Sequence, residues 1–198
     1  MLDRLRGSLT EVLASLGRSA SKLVPSPTAW TLVGLLFSFL AFAFYSEKDP
    51  VPGGLMLAVS GFFDVLDGAV ARATGRTSQR GAFLDSTLDR VAEVLVYLGI
   101  IIGGYTNPSL VLVALSFSLL VSYTRAKGDA LGVSLAGIGV GERSERLVVL
   151  IVASLLGVVW LGVLIVALLA LITFVQRTVT VSKALGRPKA SPGAPPPS

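Results

Sequence analysis

Apolar residues in this chain come in long runs, and where the runs break they break at Pro, Gly and short polar clusters. The pattern predicts spans at about 28–45, 51–73, 80–103, 109–127, 144–160 and 161–182. Each has about 20 residues, which at roughly 1.5 Å per residue crosses a hydrocarbon core about 30 Å thick. The stretch from Leu147 to Val175 is too long for one helix, and only Gly157 and Gly162 mark a turn within it. Five spans, one of them long and tilted, is therefore the alternative. The N-terminal region reads differently. Leu2, Leu5, Leu9, Val12, Leu13 and Leu16 fall at helical spacing, with Arg4, Arg6, Arg18 and Lys22 among the polar positions. That is the pattern of an amphipathic helix lying on a membrane surface, a soluble contact helix being the other reading. Asp3, Glu11 and the interleaved Arg residues argue against a signal peptide. The expected organisation is thus an amphipathic helix over 1–24, an all-α transmembrane domain of six helices over 25–185, and a Pro-, Ser- and Gly-rich disordered tail over 186–198.

Composition narrows the chemistry. The 198 residues are 53% hydrophobic and 15% charged, with a mean hydropathy of +0.76. Soluble domains carry roughly 25% charge, so a water-soluble globule is excluded. There is no Cys and no His, hence no disulfide, thiolate nucleophile, imidazole base or Cys/His zinc site. Any catalysis must use Asp, Glu, Lys, Arg, Ser, Thr or Tyr. With six spans, 16 Lys and Arg lie on one side of the membrane and Lys48 alone on the other. That asymmetry puts both termini in the cytoplasm. Five spans would place the basic C-terminal segment outside and spoil it.

The acidic residues are the informative ones. Five of the twelve, Asp64, Asp67, Asp85, Asp89 and Glu93, lie within or at the ends of two apolar helices. A charge at the centre of a span costs roughly 2.5 to 3.5 kcal/mol on insertion scales, so the cluster needs a reason. Asp64 and Asp67 are three apart and share a helix face; Asp85 and Asp89, four apart, share another. A short loop makes the two helices antiparallel neighbours. The four positions then differ in depth by only about 6 Å, so they can converge in one shallow pocket open to the cytoplasm. Four crowded carboxylates cannot all stay ionised without a counter-charge. All-oxygen ligation suits Mg²⁺, Mn²⁺ or Ca²⁺, and four carboxylates could hold two ions. An Asp/Arg network with Arg72, Arg76 and Arg90 that merely ties two helices, or an ion or proton pathway of a transporter, are the competing readings. Gly68, Ala71 and Gly81 floor the pocket with small residues, either as packing contacts or to admit a bulky ligand. Arg72 beside a metal cluster suits a pyrophosphate.

Asp64, Asp67, Gly68, Ala71, Arg72, Gly81, Asp85 and Asp89 reproduce the pattern D-x2-D-G-x2-A-R-x8-G-x3-D-x3-D. With this pattern the chain resembles the CDP-alcohol phosphatidyltransferases, over roughly residues 1–185. The resemblance implies transfer of a lipid phosphate from a CDP-activated lipid to a small alcohol, with release of CMP and a requirement for Mg²⁺ or Mn²⁺. It implies that Asp64, Asp67 and Asp85 are metal ligands, and that Asp89 lies beside the metals as general base for the acceptor hydroxyl. Gly68, Ala71, Arg72 and Gly81 would line the cytidine diphosphate site with Asp64 and Asp67. It also suggests a homodimer in the cell membrane. The family's Pro-Asn-x-x-Thr, which often opens the first span, appears here as Pro27-Thr28-Ala29-Trp30-Thr31. Thr31 remains a candidate contact, Thr28 replaces the usual Asn, and Ser26 followed by Pro27 is equally a sound helix start.

Arg125, Lys127, Arg143 and Arg146 gather at the cytoplasmic ends of the later spans. They serve either as positive-inside anchors or to hold an anionic acceptor such as a phosphorylated polyol. The segments 122–127 and 142–146 resemble the inositol-phosphate-using branch, whose members make phosphatidylinositol phosphate or archaetidylinositol phosphate from CDP-diacylglycerol or CDP-archaeol. Glycerol 3-phosphate is the alternative acceptor.

Overall fold

The structure, a computed structural model, describes residues 2–186. Among the described residues there are seven helices and no strand: α1 (Leu2–Leu23), α2 (Pro27–Ser46), α3 (Pro50–Thr74), α4 (Gln79–Gly103), α5 (Pro108–Ala130), α6 (Arg143–Leu155) and α7 (Val159–Leu185). Proline opens α2, α3 and α5, because its missing N–H would be unpaired in the first turn anyway and its φ is already helical. Ser26 stands before Pro27 as expected, but its hydroxyl makes no cap. Ser78 does cap: its Oγ accepts the Gly81 N–H at 3.0 Å and starts α4. α3 stops at Gly75, whose φ of +64° is the left-handed conformation that frees the chain to turn back.

By length and composition, α2, α3, α5 and α7 could each cross a membrane. α4 is as long as α3 but carries Asp85, Asp89, Arg90 and Glu93 in its first half. α6 has 13 residues, about 20 Å. It ends earlier than the sequence pattern suggests, because the turn lies at Gly157, with a φ of +72°. Gly162 lies within α7 and is there for contact: a Cβ at that position would stand 2.5 Å from the Ala153 Cβ. Most of the tail expected from residue 186 falls outside the described residues.

The core lies between α2, α3, α4, α5, α6 and α7, built on Tyr45, Val96, Ile100, Val111, Val163 and Val166. Two hydroxyl pairs cross it, Tyr45 Oη with Ser154 Oγ at 2.7 Å and Ser38 Oγ with Ser60 Oγ at 2.8 Å; in an apolar interior each polar group must find a partner. α1 lies against α3, and Gly17 brings them together: a Cβ there would sit 2.5 Å from the Ala69 carbonyl oxygen. Ala20, Leu66 and Val70 fill this second contact. Its consequence is positional, since α1 fixes the stretch of α3 that carries Asp67 and Arg72.

Candidate active site

The i, i+3 spacing on α3 and the antiparallel return of α4 bring three carboxylates together. Ligand oxygens from Asp64, Asp67 and Asp85 all lie within 4.8 Å of one another. Asp67 is 5% exposed, and its Oδ2 accepts a hydrogen bond from Thr31 Oγ1 at 2.6 Å. Asp85 Oδ1 is buried with no hydrogen-bond partner. A buried, unpartnered carboxylate oxygen beside two other carboxylates fits a hard divalent cation, which would supply positive charge to Asp67 and Asp85 where Arg143 pairs with Asp64 alone of the three. Asp89, one turn beyond Asp85, is held differently. Its Oδ1 pairs with Arg143 Nη2 at 2.9 Å, and the same guanidinium reaches Asp64 Oδ2 through Nη1 at 2.7 Å. Arg143, the first residue of α6, thus joins α3 to α4 beside the triad.

Two cavities meet at this cluster. The first, about 220 Å³, is lined by Thr31, Asp67, Gly68, Ala71, Arg72, Gly81 and Asp85, with Thr28 and the turn residues Arg76, Thr77 and Ser78. Every non-carboxylate expected at a nucleotide site is therefore on one wall or another of a single cavity. Gly68 leaves room for Arg72, since a Cβ there would be 3.4 Å from Arg72 Nη1. The Gly81 N–H is engaged by the Ser78 cap, and a Cβ on Gly81 would stand 3.1 Å from the capping Ser78 Oγ. Thr28, which the sequence left in doubt, lines the cavity as well.

The second cavity, about 590 Å³, has Asp64 and Asp89 on one side and Arg90, Arg125, Arg143, Arg146 and Arg177 around it. Of the four cations expected to meet an acceptor, Arg125 and Arg143 have exposed or half-exposed side chains here. Arg146 is 2% exposed and is held by Glu93 Oε1 at 3.1 Å and the Gly141 carbonyl at 2.7 Å. Lys127 is exposed and is not among the residues lining this cavity. Arg177 was not singled out from the sequence, and Glu93 was counted among the intramembrane acids but given no role. Arg177 is also 2% exposed; it donates to the Ile138 carbonyl at 2.8 Å and the Val121 carbonyl at 3.1 Å, and pairs with Glu142 at 3.0 Å. Its signal was present: a lone Arg inside the apolar run of α7 is costly unless it has a partner or a task. The same holds for Glu93 on α4.

The sequence profile of the CDP-alcohol phosphatidyltransferases matches residues 25–134, more than half of the chain. The chain belongs to the CDP-alcohol phosphatidyltransferases. It is 37% identical over 185 residues to the archaetidylinositol phosphate synthase of Pyrococcus horikoshii, covering 93% of this chain and 98% of that one. To the phosphatidylinositol phosphate synthase of Streptomyces avermitilis it is 37% identical, covering 90% of this chain and 81% of that one. Among solved structures it resembles Mycobacterium tuberculosis phosphatidylinositol phosphate synthase with CDP-DAG bound, at a TM-score of 0.78 and 26% identity, covering 91% of this chain and 100% of the other. The same enzyme in complex with manganese and citrate superposes at a TM-score of 0.79 with 26% identity, covering 92% and 96%. As a CDP-alcohol phosphatidyltransferase, this protein is a transferase of phospholipid biosynthesis, and the metal of its reaction is Mg²⁺ or Mn²⁺. The matched profile ends at residue 134, so the α6 and α7 arginines that shape the second cavity lie beyond it.

Proposed function

We propose that this protein transfers the lipid phosphate of a CDP-diacylglycerol or CDP-archaeol to inositol phosphate, releasing CMP. The observation that carries the reading is the meeting of two cavities at the Asp64, Asp67 and Asp85 cluster, one lined by the small residues and Arg72, the other ringed by guanidinium groups. The cytidine diphosphate occupies the first, where Arg72 meets phosphate and Gly68, Ala71 and Gly81 leave space for it. The acceptor enters the second, its phosphate met by Arg125 and Arg143, with the buried Arg146 and Arg177 in the wall behind; Lys127 adds to the positive field over the mouth. Asp64, Asp67 and Asp85, with Asp89 beside them, hold the divalent metal, which when bound neutralises the diphosphate and the charge growing on departing CMP.

Asp89 is the base. The acceptor hydroxyl oxygen bonds to the lipid-side phosphorus, the bond from that phosphorus to the CMP oxygen breaks, and the hydroxyl proton passes to the Asp89 carboxylate. Arg143 fixes that carboxylate while facing the acceptor cavity. The similarity to named archaetidylinositol phosphate and phosphatidylinositol phosphate synthases supports inositol phosphate as the acceptor.

In the membrane, α2 to α7 supply six spans with both termini cytoplasmic, and α1 lies in the interface against α3. The basic ends of α3, α5, α6 and α7 all gather around the two cavities, whereas Lys48 alone marks the opposite side. The deciding experiment is CMP release by purified protein with Mg²⁺ or Mn²⁺ and a CDP-lipid. Inositol phosphate, glycerol 3-phosphate, inositol and serine are compared, with Asp89→Asn as control. Release dependent on inositol phosphate supports the assignment; release with another acceptor alone refutes it.

A further inference from the structure

Two charged rungs connect α4 to α6: the upper, Asp89 with Arg143, opens on the site, and the lower reaches the cavity wall only through Arg146. Asp89 and Glu93 are four apart on α4, and Arg143 and Arg146 are three apart on α6, so each pair shares a helix face. Asp89 meets Arg143 at 2.9 Å and Glu93 meets Arg146 at 3.1 Å. The upper pair is partly open, with side chains 15% and 25% exposed; in the lower, Arg146 is buried at 2% and Glu93 is 11% exposed. α4 packs mainly against α2 and α5, and α6 mainly against α3 and α7, so the rungs join helices whose principal partners lie elsewhere. Arg146 also donates to the Gly141 carbonyl at 2.7 Å, tying the chain two residues before α6, and the Gly141 N–H is held in turn by Thr173 Oγ1 at 2.9 Å.

A buried ion pair is weak evidence of stability for its own sake, but it fixes geometry. Here it fixes the first turn of α6, where Arg143 begins. We infer that Glu93 is a positioning residue for acceptor transfer: acting through Arg146, it sets where the Arg143 guanidinium stands relative to Asp89 and the acceptor cavity. Glu93 touches neither substrate. A small displacement of Arg143 is enough to weaken capture of an anionic acceptor.

The inference rests on the proposed acceptor cavity, and its test separates the two. CMP release by the unaltered protein with inositol phosphate comes first; if another phosphorylated acceptor is the one that works, that acceptor is used and only the proposed function fails. In Glu93→Gln, the acceptor KM is expected to rise about tenfold, with the CDP-lipid KM and the Mn²⁺ affinity within twofold of native. Glu93→Asp, which keeps the charge on a shorter arm, is expected to give a smaller rise. Glu93→Gln combined with Arg146→Gln removes both buried charges and should raise the acceptor KM no further than Glu93→Gln does. If Glu93→Gln alone does not fold, the double variant is compared with the native protein, and the same rise of about tenfold in acceptor KM is expected. An acceptor KM within twofold of native, or an equal loss for both substrates and for metal, overturns the inference, because general loosening of the bundle would affect all three alike.

Discussion

Thr31 on α2 donates its hydroxyl proton to Asp67 Oδ2 across 2.6 Å, so a side chain from the first long helix orients a carboxylate of the cluster. Partners of this kind hold a ligand in one rotamer, and removing them typically reduces metal affinity or activity by about 10- to 100-fold. Thr31→Val, which keeps the shape and loses the donor, should weaken Mn²⁺ binding and CMP release within that range. Thr31→Ser should restore most of both. Titration of Mn²⁺ by electron paramagnetic resonance, read beside turnover, checks it; equal affinity in the Val variant would remove Thr31 from this role.

Asp67 is the most buried carboxylate of the three. Asp67→Asn should lower turnover by more than about 1,000-fold, since an amide is a poor ligand for a hard cation. Chelation of divalent metal from the native protein should have the same effect, and added Mg²⁺ or Mn²⁺ should reverse it. A folded Asp67→Asn variant with near-native turnover would refute the metal site.

Arg125 lines the proposed acceptor cavity, and its side chain is exposed. A charge-assisted contact to phosphate contributes about 1.5 to 3 kcal/mol, so Arg125→Ala should raise the acceptor KM roughly 10- to 100-fold while leaving the CDP-lipid KM near native. Steady-state kinetics with each substrate varied in turn distinguishes this from plain membrane anchoring, in which neither KM would change.

Gly17 is where α1 meets the Ala69 backbone. The obstacle is a carbonyl oxygen, which cannot swing aside like a flexible side chain, so Gly17→Val should push α1 off α3. The expected outcome is faster proteolysis within α1 and weaker activity with metal affinity largely kept. A variant as resistant to protease as the native protein would show that the contact yields.

The eight motif positions were legible because they lie within 26 residues, on two helices joined by one short turn. Helical periodicity alone brings Asp64 and Asp67 to one face and Asp85 opposite, and the structure finds these three together. The acceptor side was legible only as a tendency. Arg125, Arg143 and Arg146 were visible as a basic group, but Arg177 and Glu93 come from distant stretches, and nothing local to them says which carboxylate faces which guanidinium. The end of α6 was misplaced by about five residues, because Gly157 and Gly162 look alike in an apolar run. Only their neighbours show that the first turns the chain and the second admits Ala153.

By itself the sequence determined an all-helical chain of membrane-spanning character, a carboxylate cluster suited to a hard metal, and a strong basic asymmetry between the two ends of the helices, since each follows from spacing of a few residues or from composition. The tertiary structure alone decided that Arg143 bridges Asp64 and Asp89, that Thr31 holds Asp67, that Arg146 is sealed against Glu93 while Arg125 is open, and that two cavities meet at the metal cluster. Those are contacts between residues 36 to 79 positions apart. They depend on how close small residues let the helices approach, which the packing of the whole bundle sets and no single segment encodes.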